Sequence, residues 1–224
     1  MLDIIMLTYN EPNADSNWQR LVDRFRFAQR VDGVKGIREA HHAAACAART
    51  ECFYVVDGDN AIDDEFWFDY TPNEHDNRYV HIFRSRNSVN GLVYGNGGIK
   101  IFNKSHFDHA IKYIDFSTTV APSKIHEAVA STTVINATPY QAWRAGFREA
   151  MKLKVAALNG NEEALQRLDV WCNKGYNVEN GDECIRGAVM GRMYGIANQD
   201  RPEKLSRAND FKWLEDLYNV GKWE

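Results

Sequence analysis

Asp57 and Asp59 stand two residues apart, directly after the apolar run Cys52-Phe53-Tyr54-Val55-Val56. Two carboxylates at that spacing can approach one divalent cation, directly or through water. Magnesium and manganese favour such oxygen ligands and bridge readily to phosphates. Gly58 between them lets a ligand come close to the backbone. The competing reading is a turn carrying two solvated aspartates. Other residues offer weaker chemistry. Gly95-Asn96-Gly97-Gly98 reads equally as a backbone cradle for a ligand and as a hairpin turn, because Asn-Gly is a strong turn dipeptide. His41 with His42, and His106 with His109, are spaced as chance alone would space some of seven histidines. His126 beside Glu127 is a further candidate ligand and base. Arg144 and Arg148 share one helical face and suit phosphates, or else a salt-bridged surface that includes Glu149. The run Gly98 to Ser105 nearly matches a P-loop, but Asn103 replaces the second glycine, and no GxGxxG is present.

These residues need elements to position them, and the first ~105 residues alternate strand and helix signals. Ile4 to Leu7 is a buried strand broken by Asn10-Glu11-Pro12-Asn13. Residues 16–24 are helical. Phe27 to Val31 is a second strand, ended by Asp32-Gly33. Residues 37–49 form a helix with six alanines, and Cys52 to Val56 is a third strand. Such a β-α-β-α-β series predicts a parallel sheet with helices packed on it. Ligands of these sheets collect at the carboxyl ends of the strands. Thr8-Tyr9-Asn10, Asp32-Gly33-Val34-Lys35 and Asp57-Gly58-Asp59 fall there together. Tyr79–Phe83, Ile99–Phe102 and Asp115–Val120 read as later strands. Thr138-Pro139-Tyr140-Gln141 then opens a capped helix, and residues 161–173, 182–197 and 202–219 continue a helical tail. Gly187, Gly191 and Gly195 recur every four residues, a spacing that marks close helix packing in a soluble protein. The expected division is a catalytic core over residues 1–137 and a helical extension over 138–224, packed as one compact unit.

The 224 residues, 44% apolar and 26% charged, exclude disorder, collagen and coiled coil as readings of the whole chain. No apolar run approaches the roughly 18 residues of a membrane span. The N-terminus lacks a basic signal-peptide start, so the expected location is cytoplasmic, with Cys46, Cys52, Cys172 and Cys184 as thiols. Net charge is −4, which argues against nonspecific nucleic-acid coating. Its distribution is uneven: +4 over residues 18–38, −9 over 51–76 and +5 over 78–112. An acidic centre between basic flanks suits a metal between anionic ligands, or is solvated surface charge.

Taken together, Thr8-Tyr9-Asn10-Glu11, Asp32-Gly33-Val34, the Ala-rich helix and Tyr54-Val55-Val56-Asp57-Gly58-Asp59-Asn60 resemble the GT-A glycosyltransferases. The resemblance covers roughly residues 3–105. It implies an α/β, Rossmann-type mixed and mainly parallel sheet flanked by helices, with a helical C-terminal part. The stretch Thr138 to Glu149 and the closing Asn209-Asp210-Phe211-Lys212-Trp213-Leu214 also resemble small glycosyltransferases of tailed phages, some of which are thought to decorate hydroxymethylated pyrimidines in DNA. The resemblance implies a nucleotide-diphosphate sugar as donor, expected in uridine-linked form, and manganese or magnesium as cofactor. Thr8, Tyr9, Asn10, Asp32, Lys35 and Arg38 would grip the nucleotide, with Asp57, Gly58, Gly97 and Gly98. Asp57 and Asp59 would carry metal and diphosphate; a further ligand or base from the later half is open among His126, which is the candidate metal ligand, Glu127 and Glu149. Glu127, Glu149 and Asp59 are the candidate catalytic carboxylates. If the acceptor is a hydroxymethyl group in modified duplex DNA, Arg84, Arg86, Arg144 and Arg148 are the expected phosphate contacts, with Lys100 and Lys104 beside them. The alternatives are a glycosyltransferase acting on glycan or protein, a nucleotidyltransferase, and a non-catalytic binding module.

Overall fold

A computed structural model describes residues 1–107 and 120–221, with no side-chain description at 96–97. The chain divides into two compact units, one of residues 1–87 and 93–134, the other of residues 88–92 and 135–224.

The first unit opens with β1 (Asp3–Thr8), α1 (Ala14–Arg24), β2 (Gln29–Asp32), α2 (Ile37–Ala47) and β3 (Cys52–Asp57). The expected β-α-β-α-β series is therefore present. β1 and β3 are apolar on both faces because helices cover both. Ile4, Met6, Tyr54 and Val56 meet Leu21 and Phe25 on one side. Ile5, Leu7, Phe53 and Val55 meet Ala44, Ala45 and Ala48 of α2 and its C-terminal end on the other. The alanines let α2 lie close to the sheet. Beyond β3 come β4 (Asn60–Ile62), β5 (Val80–Asn87), β6 (Val93–Asn103) and β7 (Ser123–Thr133).

Among the described residues the sheet has seven strands in the order β2-β1-β3-β6-β5-β7-β4. It is mixed α/β and Rossmann-like, with helices on both faces of β1 and β3. The parallel pairs are β1–β2, β1–β3 and β5–β7, while β3–β6, β5–β6 and β4–β7 run antiparallel. Parallel pairing thus makes up half the neighbours.

Two expectations need correction. Gly95–Gly98 is neither a turn nor a loop: it lies inside β6, which begins at Val93. The pairing of β5 with β6 resumes at Ser85↔Tyr94 after a bulge near Phe83–Ser85, so the glycines bend a strand. Ser123–Thr133, outside the expected strands, is a strand. Its exposed first half, with Lys124, Ile125 and Glu127 outside, hides the alternation. His109 and the strand expected at Asp115–Val120, apart from Val120 itself, lie outside the described residues.

The second unit contains α3 (Pro139–Leu158), α4 (Glu162–Asn173), α5 (Gly181–Ala197) and α6 (Phe211–Val220). The cap at Thr138 forms: its Oγ1 accepts from the Gln141 amide at 3.1 Å, and Gln141 Oε1 accepts from the Ala137 amide at 3.1 Å. The helix expected over 202–219 is broken, because the Asp210 carboxylate accepts from the amides of Lys212 and Trp213 and starts a new helix. Gly187 and Gly191 of α5 face the carbonyl oxygens of Trp143 and Phe147 of α3, so close helix packing is what their spacing records. No helix of the described residues is long and apolar enough to cross a membrane.

Candidate functional site

Strand pairing alone gathers the candidate residues. Thr8 pairs with Asp32 and Leu7 with Asp57. All three strands are parallel, so their carboxyl ends share one edge. There the Thr8 hydroxyl donates to Asp32 Oδ1, and Arg30 Nε donates to Thr8 Oγ1 at 2.9 Å. Arg30 also reaches Asp15 at 2.7 Å and Asp32 at 3.5 Å. The Gly33 amide donates to the Thr8 carbonyl at 3.0 Å, and the positive φ of Gly33, 70°, allows the turn. Asn10, exposed, takes a left-handed conformation at φ 60°, which Asn tolerates better than most residues.

The Asp57-Gly58-Asp59 turn passes tightly beneath the loop after β1. A Cβ on Gly58 would lie 2.9 Å from Glu11 Oε2, the Leu7 carbonyl oxygen and Thr8 Cγ2. Gly58 is thus required by the protein's own backbone. Glu11 also accepts from the Tyr9 amide at 2.6 Å. Asn17 Nδ2 donates to the Gly58 carbonyl at 2.9 Å, and the Val134 amide to the Asp59 carbonyl at 2.8 Å.

The two aspartates have different surroundings. Asp57 follows Val55 on the α2 face, where Lys100 Nζ lies 3.2 Å from its Oδ2; the Lys100 side chain is only 6% exposed. A buried ammonium is costly without a counter-charge, and Asp57 supplies it. Buried His41 is near this pair. Burial first, and Lys100 second, push its pKa down to about 4, against the pull of Asp57. Its Nδ1–H donates to the Ile37 carbonyl at 2.7 Å. Asp59 has a neutral neighbour instead: Asn60 Nδ2 donates to its Oδ1 at 2.7 Å.

Among the other expected residues, Tyr9 and Arg38 are half-buried and Lys35 is exposed, as is Asp32 at the strand ends. Gly98 is buried in β6, where a Cβ would lie 2.1 Å from Asn60 Oδ1. Gly97 is also in β6, with nothing described beyond its backbone. His126 does not join Asp57 and Asp59 as a ligand: among the described residues no three His, Cys, Asp or Glu gather around a metal position. Its ring stacks on Phe83 and meets the edge of Tyr70. His81 donates through Nε2 to the Asp76 carbonyl at 3.1 Å, so its Nδ1 accepts from His126 Nε2 at 2.9 Å. Burial lowers the pKa of both imidazoles. Glu127 is exposed and pairs with Arg84 at 2.7 Å. Arg86 is exposed on β5, while Lys100 is buried and cannot serve as an exposed phosphate contact.

Arg144, Arg148 and Glu149 belong to the second unit. Arg144 stacks on Phe211, with 4.4 Å from Cζ to the ring centroid. Arg148 donates to the Ala208 carbonyl at 2.9 Å and to Asn209 at 3.0 Å, and Glu149 pairs with Arg167 at 3.0 Å. The closing Asn209-Asp210-Phe211 motif therefore anchors these arginines from within their own unit. Sequence reasoning missed Glu11, Asn17, Asn60 and the true place of Lys100. The apolar alternation Ile99-Lys100-Ile101, with a lone lysine facing inward, was the one signal for Lys100.

No protein-family model matches the chain. No curated protein matches it either. Among solved structures the chain is similar to HddC from Yersinia pseudotuberculosis, at 10% identity and a TM-score of 0.36, over 58% of this chain and 92% of that one.

Proposed function

We propose that the first unit binds a nucleotide-diphosphate sugar and that the protein is a metal-dependent glycosyltransferase. The observation that carries this reading is the convergence of Thr8, Asp32, Asp57 and Asp59 at the carboxyl ends of three neighbouring parallel strands, where open α/β sheets take their ligands. The donor set fits a hard cation. Two carboxylates two residues apart supply oxygen ligands, and magnesium or manganese completes its shell with water and phosphate oxygens rather than a closed protein cage. Such a cation, when bound, offsets the charge that develops on the leaving diphosphate.

The chain's own residues have distinct roles in this reading. Tyr9 stacks on the base, a uracil in the first donor to assay. Lys35 and Arg38, just before and just inside the start of α2, meet the phosphates. Asp32, linked to Thr8, accepts from the ribose. Lys100 keeps Asp57 in place. Glu127 is the carboxylate of the first unit that we assign to take the proton of the acceptor hydroxyl. The acceptor we would assay first is the hydroxymethyl group of a modified cytosine in duplex DNA, which protrudes into the major groove.

The test is mass spectrometry of hydroxymethylcytosine-containing DNA, and of free glycan and protein acceptors, incubated with the protein, manganese and a panel of nucleotide sugars. A gain of one sugar mass on any acceptor supports the reading. Calorimetry with manganese and uridine diphosphate checks the donor site separately, and the absence of metal-linked binding would refute it. A nucleotidyltransferase would instead release pyrophosphate from a nucleoside triphosphate and a sugar phosphate. A binding module would show heat without turnover.

A further inference from the structure

We infer that Asn60 is a positioning residue that fixes the orientation of the Asp59 carboxylate, a role that rests on the donor-site reading above. Asn60 is the first residue of β4 and is 1% exposed. Three hydroxyls surround its amide oxygen: Ser131 Oγ at 2.9 Å, Thr133 Oγ1 at 2.9 Å and Ser85 Oγ at 3.2 Å. Ser85 has a second acceptor, the Ser131 carbonyl at 3.0 Å. Ser85 Oγ also lies 3.0 Å from Ser131 Oγ and 2.8 Å from Thr133 Oγ1, so the three hydroxyls and the amide oxygen form one network. With Ser85 donating to the Ser131 carbonyl, the protons of Ser131 and Thr133 are available to the Asn60 oxygen.

This arrangement leaves one orientation for the amide. Its oxygen faces the hydroxyls, so Nδ2 faces Asp59 Oδ1 at 2.7 Å. The flipped amide would set a carbonyl oxygen against a carboxylate oxygen. Nor is there room for the amide to swing away, because Gly98 of β6 leaves only the space that a Cβ would occupy, 2.1 Å from Asn60 Oδ1. Four strands thus meet at one amide. β4 supplies it, β5 and β7 hold its oxygen, and β6 packs against it through a glycine. The amide in turn holds one oxygen of the carboxylate that the donor site needs. A neutral donor is well suited here, since it restrains Asp59 without cancelling the charge that a cation requires.

Four variants test the role. Asn60→Asp is nearly isosteric but replaces the amide donor beside Asp59 by a group that cannot restrain its carboxylate in the same way. The manganese concentration for half-maximal uridine diphosphate binding should change at least about threefold, as expected when a hydrogen bond to a charged group is lost. Thr133→Val keeps the shape but removes one hydroxyl from the amide oxygen. It should raise the manganese concentration for half-maximal binding about threefold to tenfold, as expected for a weakened hydrogen bond to a charged group, and leave the thermal midpoint of unfolding close to wild type. Thr133→Ser should restore wild-type manganese dependence. The Asn60 side-chain amide resonance in the free protein gives a readout independent of the donor, and it should move on Asp59→Asn. Wild-type manganese dependence in both Asn60→Asp and Thr133→Val would overturn the positioning role. An amide resonance indifferent to Asp59→Asn would overturn the contact itself. If that resonance responds but wild-type protein shows no metal-linked nucleotide binding, the contact stands and the donor-site reading falls, and with it the role in positioning.

Discussion

Replacing Gly191 by Ala in α5 should destabilise the second unit by about 2 kcal/mol, although Ala is the better helix former. Two opposing effects set the sign. Relieving the helix-interior glycine contributes about 1 kcal/mol in favour of the variant. Against it, the new Cβ would lie 2.1 Å from the carbonyl oxygen of Phe147. That oxygen is backbone within α3, so no side-chain rotation relieves the contact. The helices must part by about 1 Å, and close-packed interiors resist that. Overpacking of this kind costs about 1–3 kcal/mol, and a backbone clash belongs at the upper end. Gly187, whose Cβ would lie 2.1 Å from the Trp143 oxygen, should behave alike.

Gly195 is the internal control. Its Cβ would lie 3.1 Å from the Met151 oxygen, with the flexible side chain of Lys154 next at 3.4 Å. Here the propensity gain should offset most of the crowding, leaving the variant within about 0.5 kcal/mol of wild type or slightly more stable. Urea unfolding followed by tryptophan fluorescence suits the comparison, because Trp143 and Trp171 are buried in this unit. A Gly191→Ala protein as stable as wild type, or a Gly195→Ala protein harmed more than Gly191→Ala, would refute the packing argument.

Three other outcomes are expected. The pKa of His41 falls from 6.5 to about 4 in the folded chain, so the unfolded chain takes up its proton first as pH drops. The stability tied to this shift is whole above about pH 6.5 and drains between about 6.5 and 4, by about 3 kcal/mol. His81, His106 and His126 shift in the same direction. Urea midpoints measured across that range should fall with pH, and less steeply in His41→Gln. Asp57→Ala should cost about 3–5 kcal/mol because it orphans a buried ammonium, whereas Lys100→Met should cost less, since the freed carboxylate is 36% exposed. A double-mutant cycle in urea decides this, and equal single costs would contradict it. Tyr9→Ala should weaken uridine diphosphate binding by about 1–3 kcal/mol if its ring stacks on the base, and unchanged affinity in calorimetry would remove Tyr9 from the site.

The half of the first unit that was legible in the sequence is the half built from local signals. Apolar runs ended by Asn10-Glu11-Pro12 and by Asp32-Gly33, and an alanine-rich helix between them, need no distant partner to be recognised. The later strands depend on pairing that the sequence does not display. Lys100 reads as an exposed base beside glycines until the antiparallel register Val55↔Lys100 sets it on the α2 face next to Asp57. Asn60 reads as one more turn residue until β4 pairs with β7 and brings Thr133 opposite it. Gly98 was legible as a place of close approach. What approaches is the Asn60 amide, which only the sheet order reveals.

The same non-local pairing changes the meaning of the charge pattern. The acidic stretch 51–76 and its basic flanks suggest an anionic pocket ringed by phosphate contacts. In the fold, much of that alternation closes on itself. Arg24 donates to the carbonyls of Asp63, Asp64 and Phe66, and Arg20 lies 3.6 Å from Asp64. Lys100 pairs with Asp57, and Asp76 with Lys124 of β7. Arg30 bridges Asp15 and Asp32, and Arg84 holds Glu127. The exposed pairs contribute little to stability. They also make the bases poorer partners for an acceptor, since a cation already near a carboxylate releases less when it meets a phosphate. A duplex held by these flanks would therefore show a shallower salt dependence than their count of bases implies, because each full phosphate contact contributes a slope of roughly 0.9. Arg26, Arg78 and Arg86, all exposed, are where such contacts would begin. Charge reversal at these positions, rather than at Arg84, is the informative way to ask whether the acceptor is a nucleic acid.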